Sequence, residues 1–256
     1  MTVQIALRRV ATGPLPGVRA RIGLIGLASG MTTEAEMHRL IPQDGVLLVT
    51  TRVRDSNTVN LSNLAQMEAD LVRAADTLLP GERLDVIAYG CTSGTIAIGE
   101  AAVTMRIHSV RPGIPTTNQF RSSVTALAAV GASRICLVSP YTQSVTCAMA
   151  RHLVLEGIEI AHAVAFGLEL GSDICSLSPQ TILAETVAAD RPQANGIFIC
   201  CGGLRTMDML EEAEQRLRKP VVSSNQSLAW HALRLAGISD PRPDYGRLMR
   251  SPLPKL

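Results

Sequence analysis

The chain has 256 residues, 46% hydrophobic and 18% charged, with 24 basic and 22 acidic side chains and a net charge of +2. That is enough apolar residue for one large or two small cores. No long run of like charge points to nucleic acid or an anionic membrane surface, and no apolar stretch reaches the roughly 18 residues needed to span a bilayer. The opening "LRRVATGPLPGVRAR" reads as a short solvated basic arm, and no leader pattern precedes it. Strand-like runs follow at 21–27 (RIGLIGL), 45–53 (GVLLVTTRV) and 84–90 (LDVIAYG). Helical spacing from Asn60 to Leu79 predicts one long helix, stopped by Pro80-Gly81. A second set of strands is expected at 134–140 (RICLVSP), 158–166 (IEIAHAVAF) and 196–200 (GIFIC). Strands apolar on both faces and alternating with helices predict parallel sheets flanked by helices.

The two sets read as one unit repeated. "RIGLIG" from Arg21 matches "RICLVS" from Arg134, Cys91 matches Cys201, and "IPTTNQ" ending at Gln119 matches "VVSSNQ" ending at Gln226. Three landmarks in the same order predict two pseudosymmetric α/β lobes. The first is expected over residues 1–116 plus 224–256, the second over 117–223. Ligands of open parallel sheets bind at the carboxyl ends of the strands, so a cleft between lobes would carry Cys91 on one wall and Cys201 on the other.

The six cysteines (91, 136, 147, 175, 200 and 201) have no CxxC spacing, and the five histidines form no HxxxH or HExxH. Reduced thiols, a cytoplasmic location and no metal site are the expectation. Cys136, Cys147, Cys175 and Cys200 are expected in the core, as are Trp230 and His231. Cys91 and Cys201 each stand at a strand end ahead of a helical run, "IAIGEAAVTM" and "MDMLEEAEQRL". A free thiol is mostly protonated at pH 7, and half-ionising it takes about 2 kcal/mol. A helix N-terminus supplies ~0.3–2 kcal/mol, so both thiols are expected to be activated. Thr92, Ser93, Gly202 and Gly203 would offer N–H and hydroxyl donors to a carboxylate. Tyr141 and Asn225 would reach the same cleft, with Asn225 alternatively capping the helix that follows.

"GCTSGT" (90–95), "SPY" (139–141), "CGGL" (201–204) and "KPVVSSNQSLAWHALRLAG" (219–237) resemble the aspartate/glutamate racemase superfamily. The nearest branch holds maleate cis-trans isomerases, arylmalonate decarboxylases and the isomerase-like ectoine-utilisation protein. The resemblance covers Arg21 to Ser239 and implies two α/β lobes, no cofactor, a small dicarboxylate or related carboxylate substrate, and at least a dimer. Both cysteines are present, as in the isomerases and racemases, whereas the decarboxylases have glycine in place of the first. Maleate isomerases usually carry asparagine in the loop after the first strand, where this chain offers Ser29-Gly30. Racemases show Thr-His or Thr-Glu after the second cysteine, where Gly202-Gly203 stands here. The resemblance implies cis–trans isomerisation, with Cys91 adding to the alkene and Cys201 handling the proton. A racemase or epimerase, a decarboxylase and a non-catalytic ligand-binding protein are the alternatives.

Overall fold

Strands form where the Val/Ile/Leu runs can be covered on both faces. In the computed structural model, which describes residues 5–254, Ile22, Leu24 and Ile25 of β1 are fully buried although they point to opposite sides. The first lobe runs β1 (Ala20–Leu27), α1 (Thr33–Leu40), β2 (Val46–Val53), α2 (Leu61–Gln66), α3 (Leu71–Asp76), β3 (Val86–Tyr89), α4 (Thr92–Ile98), α5 (Glu100–His108), β4 (Thr116–Asn118) and α6 (Gln119–Ala129). The second runs β5 (Arg134–Tyr141), α7 (Gln143–Leu155), β6 (Glu159–Leu168), α8 (Gly171–Ser176), α9 (Pro179–Ala189), β7 (Gly196–Ile199), α10 (Leu210–Leu217) and β8 (Val221–Ser223), and the chain goes on into α11 (Ser224–Leu235). The sheets have the same order, β2-β1-β3-β4 and β6-β5-β7-β8, and every named strand pairs in parallel. Among the described residues no helix is long and apolar enough to cross a membrane.

The repeat is real, but one landmark is displaced. Ile22 pairs with Val86 and Ile135 with Gly196, which makes Arg21 equivalent to Arg134 and Cys91 to Cys201. In the last strands Ile87 pairs with Thr116 and Ile197 with Val221. Asn118 therefore corresponds to Ser223, not to Asn225. Both are helix N-caps: Asn118 accepts from the Arg121 N–H, and Ser223 forms a reciprocal capping box with Gln226. The shared Asn-Gln dipeptide is a coincidence of sequence, and Asn225 is not the cap of α11. The lobe boundary expected at 116/117 runs through β4.

Helices α6 and α11 leave the two sheets and pack on each other, and α11 also lies on α1, β3, β4 and β8. Its first ten residues, Ser224 to Leu233, are all buried. Trp230 and His231 lie there as expected; the indole donates to the Ser251 carbonyl and His231 Nδ1 lies 2.8 Å from Thr117 Oγ1. The helix expected over 60–79 is instead α2, a 3-10 turn at Met67–Asp70 and α3. Asp70 explains the change, because its carboxylate accepts from the Arg54 N–H at the end of β2 as well as from Arg73. The 3-10 turn is thereby tied to the neighbouring strand.

Candidate active site

Cys91 is the N-cap of α4, and its sulfur accepts from the Gly94 N–H at 3.2 Å. Gly94 is required there: a Cβ would lie 2.8 Å from that sulfur and 2.5 Å from Met67 Cε. Cys201 is built differently. No helix follows it until α10 begins at Leu210, so the expectation that Cys201 opens a helix is overturned. Its backbone has φ 107°, a conformation side chains seldom adopt and which costs about 1–3 kcal/mol. That turn brings the Gly203 N–H to 3.2 Å from the Cys201 sulfur.

The irregular segment after Cys201 is held from the first lobe. Thr33 Oγ1 donates to the Gly202 carbonyl and Thr32 Oγ1 to that of Gly203. A Cβ on Gly202 would come within 2.5 Å of Thr33 Oγ1, so only glycine lets α1 approach this closely. Glu36, on the same helix and 5% exposed, accepts from the Thr206 N–H at 2.6 Å, the Met207 N–H at 3.1 Å and Asn225 Nδ2 at 2.7 Å. Burial pushes the Glu36 carboxyl up, and those donors oppose the shift.

One hydroxyl joins the two cysteine segments. Ser224 Oγ accepts from the Cys201 N–H at 3.0 Å and lies 2.9 Å from Thr92 Oγ1, beside Cys91. Gln119 extends this floor, with Nε2 donating to Asn225 Oδ1 at 2.6 Å. The roof is a second contact between lobes. Asn57 accepts the Gly171 N–H at 2.7 Å, Val59 donates to the Glu169 carbonyl at 2.7 Å, and Thr58 bridges Leu170.

Between floor and roof lies a cleft of about 720 Å³, its open mouth included. Cys91, Cys201, Thr92, Ser93, Tyr141, Gly202, Gly203 and Ser29 all line it. Asn225 does not. It is 1% exposed, and its amide is spent on Glu36, Gln119 and the Gly202 carbonyl. Thr117 and Asn118 also stay outside the lining. Cys136 and Cys200 are buried, as expected. Two expectations fail: Cys147 is exposed, and Cys175 is half-buried on the cleft wall. The sequence reading missed Asp55, Thr33 and Gln119, which line the cleft, and Glu36 behind it. Gln119 carried no usable signal, because the sequence set it against Gln226 and only the sheet register makes it equivalent to Ser224. Glu36 and Asp55 carried none.

The expectation of activated thiols also needs correction. Burial pushes Cys91 up to about 11, opposed by the Gly94 N–H and Ser93 and reinforced by Asp55. Burial pushes Cys201 up to about 12, opposed by the Tyr141 hydroxyl and the Gly203 N–H. Desolvation outweighs the helix start because a thiolate loses its hydration on every side, while one N–H restores part of it. Both thiols are therefore neutral at pH 7. Iodoacetamide at pH 7 is expected to label exposed Cys147 well before Cys91 or Cys201, as read by mass spectrometry of a partly labelled sample. Faster labelling of either cleft sulfur would show a thiolate forming despite burial.

A family model described as arylmalonate decarboxylase matches residues 69–249, from the helix before β3 to the close of the second lobe. This chain belongs to the arylmalonate decarboxylase family. Within it, the arylmalonate decarboxylase of Bordetella bronchiseptica is 33% identical over 151 residues, covering 58% of this chain. The match spans 62% of that relative's length. The maleate isomerase of Nocardia farcinica (strain IFM 10152) is 26% identical over 245 residues, 91% of this chain and 96% of the relative. The structure of Nocardia farcinica maleate cis-trans isomerase bound to TRIS superposes with a TM-score of 0.82 at 25% identity, covering 90% of this chain and 98% of that one. The arylmalonate decarboxylase family is a branch of the aspartate/glutamate racemase-like superfamily, and two parallel four-stranded sheets facing one cleft are its architecture here.

Proposed function

We propose that this protein is a cofactor-independent cis–trans isomerase of a small unsaturated carboxylic acid built on a dicarboxylate frame, maleate in the simplest case. The observation that carries the reading is the pair of thiols, Cys91 and Cys201, lining one cleft from equivalent positions of two lobes. In the reaction, Cys91 first gives its proton to solvent, and the resulting thiolate forms a bond to one alkene carbon. The π electron pair moves to the neighbouring carbon, next to a carboxylate, and Cys201 delivers its proton there. The new carbon–carbon single bond rotates. Cys201 then takes the proton back, the carbon–sulfur bond breaks, and the trans alkene leaves. Negative charge on the carboxylate oxygens during addition is met by Ser93, the Gly202–Gly203 segment and the Tyr141 hydroxyl. Tyr141 is 2% exposed and its phenol is pushed well up by burial, so it stays a proton donor across the working range.

The pH profile follows from the thiols. Below about 11 the Cys91 thiolate fraction rises tenfold per pH unit, so kcat/KM is expected to climb with unit slope between pH 7 and 9. The same thiols limit stability above that window. Their folded values lie above the ordinary value of 9.0, so stability is intact below pH 9 and is lost as pH rises towards 11–12. A kcat/KM flat from pH 6 to 9 would show that free Cys91 is already ionised or that its ionisation does not limit the reaction.

Incubation with maleate, read by proton NMR for fumarate, tests the reading directly. A second reading is favoured by the same pair of thiols on opposite walls: racemisation, in which one sulfur removes an α-proton and the other returns one to the opposite face. Deuterium oxide separates the two, because racemisation exchanges the α-proton and addition, rotation and elimination need not exchange an alkene hydrogen. Loss of carbon dioxide from an arylmalonate, with no change in maleate, would replace both by decarboxylation.

A further inference from the structure

The cleft lining combines hydrogen-bond donors with one carboxylate. The donors are Ser93, Tyr141 and the Gly202–Gly203 segment. Apolar Val59, Leu64, Met67 and Ile174 also line it. Two residues beyond β2, Asp55 adds a carboxylate to the lining. Both of its oxygens are oriented from the β1–α1 loop: Oδ1 accepts from the Ser29 N–H at 2.9 Å and Oδ2 from the Ser29 hydroxyl. A carboxylate oxygen accepts two hydrogen bonds, so each keeps capacity for a ligand.

Among the described residues, no arginine, lysine or histidine lines the cleft. The nearest basic residue in sequence on β2, Arg52, turns to Glu34 at 2.6 Å and to the Gly30 carbonyl at 2.8 Å. A second carboxylate on a ligand would therefore meet the Asp55 carboxylate with no cation in the lining beside it.

We propose that Asp55 is a specificity-determining residue that selects a monocarboxylate whose far end carries N–H donors and no negative charge, such as the half-amide of the unsaturated diacid. The ligand's one carboxylate lies among those donors, and its amide or ammonium donates to Asp55. For the reaction, this rests on the isomerase reading; for binding, it rests on the cleft alone. Asp55 carries its charge in the same cleft lining as Cys91. A donor bound on Asp55 offsets that charge, and a second carboxylate adds to it.

Four saturated probes that cannot isomerise test this by titration calorimetry: succinate, succinamate, 4-aminobutyrate and butyrate. Succinamate or 4-aminobutyrate is expected to bind wild-type protein about tenfold or more tighter than succinate. Which of the two is tighter distinguishes an amide from an ammonium end. Asp55→Asn keeps an acceptor for Ser29 and removes the charge. It is expected to reduce that preference about tenfold, mainly by improving succinate. A purely structural role for Asp55 would weaken all four probes alike and leave the ratio unchanged. Succinate binding tightest to the wild type, an unchanged ratio in Asp55→Asn, or no measurable binding of any probe overturns the proposal. Parallel incubations with maleate and maleamate keep the two readings apart. Selectivity among the probes without isomerisation refutes only the isomerase, and isomerisation of maleate with succinate preferred refutes only the role of Asp55.

Discussion

Replacing Cys91 by serine is expected to lower turnover by about 10⁴-fold or more, and replacing Cys201 by about 10²–10⁴-fold, with both proteins still folded. The hydroxyl of serine fits the space of either thiol, so hydrogen bonds such as that from the Gly94 N–H keep an acceptor. What is lost is chemistry. An alcohol is far less ionised than a thiol at neutral pH and is a weak nucleophile without an adjacent base, and among the described residues no histidine lines this cleft. The two variants should also differ in kind. With Cys201→Ser the addition step remains and its proton transfer is impaired, so intact-mass spectrometry after exposure to maleate is expected to find one added substrate on Cys91. With Cys91→Ser no such adduct forms. Cys136→Ser, in the core away from the cleft, should retain activity. Near-wild-type turnover in either cleft variant would remove that sulfur from the mechanism.

Glu36→Ala is expected to destabilise the fold by about 2–5 kcal/mol, or roughly 5–20 °C in Tm. Three buried donors, the N–H groups of Thr206 and Met207 and the Asn225 amide, lose their acceptor together. Each costs about 1–3 kcal/mol when left unsatisfied, less the relief of no longer burying a carboxylate. The same contacts hold the segment that follows Cys201, so turnover should fall by more than the folded fraction does. Glu36→Gln keeps the Oε1 acceptor for the two backbone donors and sets its own amide against that of Asn225. It is expected to recover much of the stability while kcat stays depressed, because Asn225 also holds the Gly202 carbonyl. Thermal unfolding and steady-state kinetics on the same samples check both parts. A Glu36→Ala protein with wild-type Tm would show that the segment is held without it.

Much of this molecule is legible along the chain. Short apolar runs located β1, β2, β3, β5, β6 and β7, of which β1, β3, β5 and β7 are buried on both faces. The equivalence of Cys91 and Cys201 was legible because both follow a strand of the same length in the same sheet position. The helix over 60–79 was misread because periodicity records which face is apolar. It does not show that Asp70 will reach across to the Arg54 N–H, where a 3-10 turn interrupts the α-helix.

By itself, then, the sequence determined two parallel-sheet lobes, a cleft at their carboxyl ends and the two sulfurs within it, all products of short-range apolar patterning and an internal repeat. Only the tertiary structure decided the protonation state of those sulfurs, the support of the second by Glu36, and the carboxylate of Asp55 in the wall. Glu36 and Thr206 are 170 residues apart, and no periodicity couples them. Thiol ionisation depends on how completely the folded chain excludes water. Cys91 opens a helix, as its sequence suggests, yet it is 6% exposed, and desolvation outweighs the one N–H that the helix offers its sulfur.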